Sequence, residues 1–428
     1  MDSELHLGTI RARGFDWSRV RFPGRRIGEV VTLNYGKSLP EPTRRAGTVK
    51  IYGTNGPCGF HDTSLADGPG VILGRKGEGH LGVKWCQSPF WVIDTAYFAS
   101  VNQNEVDMRW FYYVTSFVGL DHLKTGEKPG LSRDTFGRQI FPFPLKDEQR
   151  AITEVLGALD DKIEVGLQMN RTLEELTAAL FRSWFIEFDP VVANAAGRKP
   201  AHLCTDVAAL FPTSFKDSRL GPIPNEWDVG KVDDIATLVR NSVNPRDFPT
   251  ETFDHYSIPA FDDGQRAKQE SGASIKSNKF LVPPGCVMIS KLNPDTPRVW
   301  LPDVVSERRA VCSTEFFVTV PKAPASREFV FSIYSSDAFA SSFASLVTGT
   351  SNSHQRVQPE GLHGLEIVIP DGRVMSEFTK LVRPWLAQIT QNRRELETLS
   401  VLRDRLLPKL LSGELRVKQA EKFVATAG

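Results

Sequence analysis

The stretch from Phe143 to Phe188 constrains this chain most. Apolar residues recur there in steps of three and four: Ile152, Val155, Leu156, Leu159, Ile163, Leu167, Leu173, Leu176, Leu180 and Trp184. That spacing lays them on one stripe of a helix. Pro144 precedes the run and Pro190 follows it, where proline does not interrupt a helix. Some forty helical residues make a rod of roughly 60 Å. A rod longer than a small domain is wide needs a partner of similar length, and the chain contains one. A shift of 226 positions carries Pro144 onto Pro370, Ile152 onto Phe378, Leu156 onto Val382 and Leu159 onto Trp385. The same shift carries Ile163 onto Ile389, Leu173 onto Leu399, Leu176 onto Leu402 and Leu180 onto Leu406. One constant offset argues for an internal duplication, each half a globular region followed by a long helix. Two unrelated amphipathic helices would not also repeat the extended Phe-Pro and Ile-Pro segments before them. Two residues test the regularity. Gly166 sits mid-helix, costs about 1 kcal/mol relative to Ala, and predicts a bend. Pro384 inside the second helix predicts a kink or a late start.

The chain has 428 residues, room for two to four domains. Its formal charge is +1, so any basic surface must be local. Cys58, Cys86, Cys204, Cys286 and Cys312 are scattered with no CxxC pair and read as reduced thiols, not as a disulfide framework or zinc site. The first residues, MDSELHLGTIRARGFD, hold acids and no apolar centre, so no signal peptide is expected. No apolar run is long enough to span a bilayer, and a cytoplasmic location is expected.

Residues 1–26 are polar and rich in arginine, including Arg11, Arg13, Arg19, Arg21, Arg25 and Arg26. They read equally as an arm that touches nucleic acid or protein and as a solvated surface. Over 27–143 the pattern turns to short strands and glycine-rich turns. Val49-Lys50-Ile51-Tyr52 runs into Gly53-Thr54-Asn55-Gly56, and Val71-Ile72-Leu73 runs into Gly74-Arg75-Lys76-Gly77-Glu78-Gly79-His80. Glycine beside cationic side chains lets a backbone approach phosphate, although an ordinary hairpin turn has the same composition. A third loop runs from Thr125 to Arg133. Residues 144–188 are the first long helix, and 189–224, rich in Pro, Ala and Gly, read as a linker. The strand pattern restarts at 225 and ends near 370. Its loops Lys291–Arg298 and Thr348–Arg356 stand where the first half has Arg75–Gly82 and Thr125–Arg133. The second long helix follows over 371–415, with a tail over 416–428.

Catalytic patterns are missing. There is no Asn-Pro-Pro-Tyr or Asp-Pro-Pro-Tyr tetrapeptide for amino-methyl transfer, no glycine-rich S-adenosylmethionine loop, no Walker A and no HExxH. Eight histidines are spread singly.

Several motifs carry a specific resemblance. Leu145-Lys146-Asp147-Glu148-Gln149-Arg150-Ala151-Ile152, Leu156-Gly157-Ala158-Leu159-Asp160-Asp161-Lys162-Ile163 and Ala179-Leu180-Phe181-Arg182-Ser183-Trp184-Phe185 resemble the central conserved region of the specificity (S) subunit of Type I restriction–modification systems. Gly221-Pro222-Ile223-Pro224-Asn225-Glu226-Trp227 resembles the start of that family's second target-recognition domain, and Leu406-Leu407-Pro408-Lys409-Leu410-Leu411-Ser412-Gly413-Glu414-Leu415 its C-terminal conserved region. The resemblance covers nearly the whole chain. It implies an α+β fold with two β-rich target-recognition domains, each followed by a long helix, the two helices packed as an antiparallel coiled coil. Each domain would read one half of a split target on double-stranded DNA, and the helices would set the distance between half-sites. The resemblance also implies two modification (methyltransferase) subunits and restriction subunits as partners. S-adenosylmethionine, ATP and Mg are expected on those partners, with no cofactor in this chain.

Base reading is expected from the polar loops, since Asn and Gln match adenine, and Arg and Lys match guanine. The candidates are Lys50, Tyr52, Asn55, Arg75, Lys76, His80 and Arg133 in the first domain. In the second they are Lys291, Asn293, Arg298, Asn352, His354, Gln355 and Arg356. Many would contact phosphate rather than bases. Phe181, Trp184 and Phe185 are candidates for binding the modification subunits, unless they close the core. Two other classes stay open at this point: a stand-alone DNA-binding module of another phage-defence system, and a coiled-coil scaffold whose β-rich regions bind protein.

Overall fold

The computed structural model describes residues 16–77, 79–125, 129–304, 307–347 and 355–420. Residues 169–391 form one compact unit, and the described residues on either side of that span form the other. Two helices run through both: Lys146–Phe185, 40 residues, and Gly372–Ser412, 41 residues.

In the first unit the early part of the first long helix lies along the late part of the second. Lys162 meets Glu395 at 2.7 Å, Asp160 meets Arg403 at 3.0 Å and Glu148 meets Arg416 at 3.3 Å. One number falls as the other rises, so the helices run antiparallel. In the second unit the Phe181 and Trp184 rings lie 5.8 and 6.1 Å from Phe378, again late against early. The pair is an antiparallel coiled coil. Its stripe is the one the periodicity marks: Ile152, Leu156, Leu159, Ile163, Phe378, Val382 and Ile389 are all buried. Leu176, placed on that stripe by spacing, is 47% exposed.

Neither irregular residue breaks its helix. A Cβ added at Gly166 would stand 2.8 Å from a methyl of Leu396. The glycine admits a leucine of the other helix, and its cost is offset by that closer packing. The second helix starts at Gly372 and runs unbroken through Pro384, so no late start occurs. Pro384 lies on the exposed side, where the carbonyl it leaves unbonded can reach water.

Among its described residues the first unit carries three sheets. A four-stranded sheet is ordered Val31–Tyr35, Ala96–Val101, Gly70–Gly74, Val83–Cys86, and a three-stranded sheet Gly56–His61, Val49–Gly53, Phe90–Val92. Gly24–Arg26 pairs with Ile140–Pro142. Val31 and Leu33 point inward and Thr32 outward, while every residue of Gly70–Gly74 is buried at the centre. The helix Met108–Val118 covers this sheet, with Trp110, Phe111, Tyr113 and Val114 fully buried.

The second unit repeats the scheme. Its four-stranded sheet runs Ala236–Val239, Phe316–Pro321, Val287–Ser290, Val299–Trp300. The parallel pairing of Val49–Gly53 with Phe90–Val92 returns as Thr252–Tyr256 with Ala310–Cys312. The Gly24–Arg26 pairing returns as Asp228–Lys231 with Glu366–Ile369. The duplication read from the helices therefore extends through the sheets.

Two expectations are corrected. Residues 189–224 are not a free linker. They form the helices Asp189–Ala195 and Thr205–Ala208 and the strand pair Phe215–Lys216 with Ile223–Pro224. Val191 and Phe211 are buried in the core of the second unit, and Ile223 is buried as well. Phe181, Trp184 and Phe185 are 4%, 2% and 6% exposed. They pack among Phe211, Phe329 and Phe378 and offer no face to a partner. Their size in an amphipathic stripe reflects the wide core they fill.

Candidate nucleic-acid interface

In the first unit three loops are tied together through their backbones. The Leu131 N–H donates to the Arg75 carbonyl at 2.8 Å and the Gly77 N–H to the Pro129 carbonyl at 3.3 Å. The Thr54 hydroxyl donates to the Lys76 carbonyl at 2.7 Å, and the Gly82 N–H donates to the Thr54 carbonyl at 3.1 Å. Gly74 is required here: a Cβ would lie 2.5 Å from the Thr54 oxygen. The loops thus bring Asn55, Arg75, Lys76 and Arg133 to one region.

Tyr35 is the platform of that region. The Arg75 guanidinium lies 4.7 Å from its ring centre and the Arg133 guanidinium 4.5 Å, with Tyr97 also 5.4 Å from Arg75. Such stacking fixes a guanidinium while leaving most of its donors free. One Arg75 nitrogen donates to the Asp94 carbonyl at 3.0 Å. Among the described residues neither arginine has a carboxylate within ion-pair reach. These side chains line a hollow of about 720 Å³. Arg133 also borders a second hollow of about 670 Å³ with Arg26 and Arg138.

Other candidates are placed differently. Lys50 is exposed, but it stands four residues down its strand from Thr54, about 13 Å by strand rise. Tyr52 is buried against Phe90, ring centres 6.2 Å apart, and is a core residue. Alternation would have turned it to the face of Lys50; the register shift between Ile51 and Tyr52 turns it inward. Lys76 faces Asp94 at 3.4 Å. His80 is exposed and bonds the Asp121 carboxylate. Partial burial pushes the Asp121 carboxyl up. The Lys124 ammonium, the Leu81 N–H and His80 outweigh that and hold it at about 2.

In the second unit the loop Lys291–Arg298 and the strand end at Gln355–Arg356 are joined. The Asn293 N–H donates to the Gln355 carbonyl at 3.1 Å and the Val357 N–H to the Lys291 carbonyl at 3.1 Å. Asn293 adopts a left-handed backbone, φ 50°, which asparagine tolerates better than most residues. The Lys291 ammonium lies 5.9 Å from the Phe317 ring. Arg298 and Arg356 are both clamped. Arg298 donates twice to Asp262, at 2.8 and 3.1 Å, and Arg356 twice to Glu315, at 2.9 and 3.1 Å. The Glu315 contact raises the Arg356 guanidinium further above its ordinary value. Asn352 and His354 lie outside the described residues.

No family model matches the chain. It is 23% identical over 339 residues to the Type I restriction enzyme HindI specificity subunit of Haemophilus influenzae, covering 68% of this chain and 72% of that one. It is 23% identical over 320 residues to the MjaIX specificity subunit of Methanocaldococcus jannaschii, covering 68% and 64%. The fold matches the crystal structure of a Type I restriction–modification S subunit from M. genitalium with TM-score 0.60 and 14% identity, over 91% of this chain and 96% of that one. Both of these curated relatives are Type I specificity subunits, and the chain is similar to each over 68% of its own length.

The two loop clusters gather Arg75, Lys76 and Arg133 in the first unit and Lys291, Arg298 and Arg356 in the second. Sequence reasoning missed Tyr35 and Tyr97, and missed the clamps Asp262 and Glu315. A tyrosine before Gly36-Lys37 at a strand end was the one local signal for the platform. Also missed were Arg308, which meets Asp254 at 2.9 Å, and Arg309, which lies 3.9 Å from the Phe248 ring. Among the described residues no group of three or more His, Cys, Asp or Glu is placed to hold a metal. No described helix is long and apolar enough to cross a membrane.

Proposed function

We propose that this chain selects the DNA sequence on which a Type I restriction–modification complex acts. Residues 27–143 and 225–370 are the two readers, one half-site each. The chain supplies recognition and no bond-making chemistry. It recruits two methyltransferase subunits, which bring S-adenosylmethionine, and restriction subunits, which bring ATP and Mg, in the cytoplasm of a bacterial or archaeal cell.

One observation carries this reading above a scaffold role. The two units share the order of their four-stranded sheets but differ in the chemistry of equivalent loops: stacked arginines in one, clamped arginines in the other. Equal frames with unequal loops suit two readers of unequal half-sites. Asn55 and Asn293 suit adenine, and Arg75, Arg133, Arg298 and Arg356 suit guanine or phosphate.

The test is a methylation map. The chain is expressed with its partner methyltransferase, and the host DNA is sequenced for modified adenine. The expected result is a bipartite motif with a fixed gap, altered on one side when residues 27–143 are replaced. A motif altered on both sides by that replacement would overturn the assignment of one reader to each half-site. A soluble complex that binds DNA yet methylates nothing would favour a stand-alone DNA-binding protein.

A further inference from the structure

The two repeats use different chemistry at one equivalent place. In the first unit an Arg403 nitrogen donates to Asp160 at 3.0 Å, and the other Asp160 oxygen accepts from the Tyr113 hydroxyl at 2.7 Å. Arg403 is 1% exposed and Asp160 6%. Arg403 also donates to Asp404 at 2.7 and 3.0 Å. Around them lie Leu156, Leu159, Leu399, Leu406 and Leu407, all buried.

The 226-residue shift carries Asp160 onto Leu386 and Thr177 onto Arg403. Both equivalents are buried in the second unit, and the Thr177 hydroxyl donates to the Leu173 carbonyl of its own helix at 2.8 Å. The helix caps align the third position. Asp107 bonds Thr153 at 3.0 Å in one repeat, and Ser326 bonds Thr379 at 2.8 Å in the other. Tyr113 therefore corresponds to Ser332, whose hydroxyl donates to the Glu328 carbonyl at 2.9 Å. The second repeat has no charged side chain at these three positions and needs no partner for them.

A duplicated chain has a built-in competitor to its own pairing: like with like. Two first helices from different molecules, or two second helices, would present matching apolar stripes. By the same equivalence, Asp160 of one first helix would then meet Thr177 of the other, leaving two buried carboxylates without a cation. Two second helices would bury Arg403 against Leu386. A buried charge deprived of its partner is strongly destabilising, whereas an apolar replacement of both partners is not. We propose that Tyr113, Asp160 and Arg403 form a pairing code that fits the first long helix to the second and rejects a second copy of itself. A single buried polar contact that fixes helix partner and register is the best-attested use of such groups.

The test uses the full chain and needs no DNA, so it stands apart from the recognition reading. Wild type and the triple variant Tyr113→Phe/Asp160→Leu/Arg403→Thr are unfolded in denaturant and refolded at rising protein concentration. Light scattering after size separation then counts associated chains. Wild type should return to its starting species throughout. The variant should associate with concentration, on the order of tenfold more than wild type at the top of the range, while Arg403→Leu alone should lower the denaturation midpoint. If the triple variant does not fold, Thr177→Arg/Leu386→Asp supplies the code at the second place, satisfies every pairing, and should associate in the same way. Refolding of the folded variant as cleanly as wild type, or an Arg403→Leu midpoint equal to wild type, would overturn the code.

Discussion

In the first unit Arg75 and Arg133 rest on the Tyr35 ring at 4.7 and 4.5 Å, whereas in the second Arg298 and Arg356 each grip a carboxylate through two nitrogens. On the proposed reading, the two arrangements hold a long cationic side chain in place at different cost to binding. A stacked guanidinium has no carboxylate to give up when an anion or a guanine edge arrives. A clamped one must exchange, and the carboxylate it leaves repels phosphate. The Asp262 side chain is 50% exposed and Glu315 24%, and exposed pairs are worth about 0–1 kcal/mol, so exchange is feasible but not free.

The largest expected effect breaks this comparison directly. Arg133→Ala should cost about 1–3 kcal/mol of binding to a duplex carrying the target, on the order of 10–100-fold. Arg298→Ala should cost less, because the variant also frees Asp262 from an exchange. Anisotropy titrations of both variants against one duplex at one salt concentration decide it. An Arg298→Ala loss larger than that of Arg133→Ala would show that the clamps are not inhibitory.

That contrast was invisible in the sequence, and the reason is physical. The long helices were legible because a stripe facing the core must repeat every three or four residues, whatever it packs on. Of the two irregular residues, Pro384 did not delay its helix, and the place of Gly166 could not be read locally, because Leu396 across the coil is what a Cβ there would meet. The loops were legible as glycine- and cation-rich. Their chemistry was not, since Tyr35 is forty positions before Arg75 and almost a hundred before Arg133. Tyr52 looked like a reader from its place beside a turn, and only the register shift shows that it faces inward. Arg403 carried a visible signal that went unused: a charge inside the stripe formed by Leu399, Leu402 and Leu406.

A smaller effect sharpens the comparison. Tyr35→Leu removes the platform under two arginines at once. Each exposed cation–π contact is worth about 0.5–1 kcal/mol, so the DNA affinity should fall a few-fold while Tyr35→Phe keeps it. The matching change under Lys291, Phe317→Leu, should weaken DNA binding less, because its cation lies farther out at 5.9 Å. Equal losses from Tyr35→Leu and Tyr35→Phe would assign the effect to the hydroxyl and not to the stack.

The smallest effect separates the units by acid. Each holds a histidine against a carboxylate: His80 on Asp121 in the open, His255 on Glu270 half-buried. Burial lowers the His255 imidazole below 6.5, outweighing Glu270, and its Nε2 has no hydrogen-bond partner among the described residues. An unfolded His255 therefore takes up a proton first. Stability of the second unit should fall as pH drops through 6.5 and level off below the lowered value. The Asp121 carboxyl is held at about 2, below its ordinary 3.8. Its contribution is complete above 3.8 and is lost only as pH falls through about 2. Its side chain is 44% exposed, so solvent screening leaves a fraction of 1 kcal/mol. Hydrogen exchange resolves the two. Amides of Thr252–Tyr256 should lose protection between pH 7 and 5, while the Leu81 amide, which donates to Asp121 at 2.9 Å, should keep it. Loss at Leu81 before loss around His255 would mean that the exposed latch, and not the buried imidazole, is the acid-sensitive element.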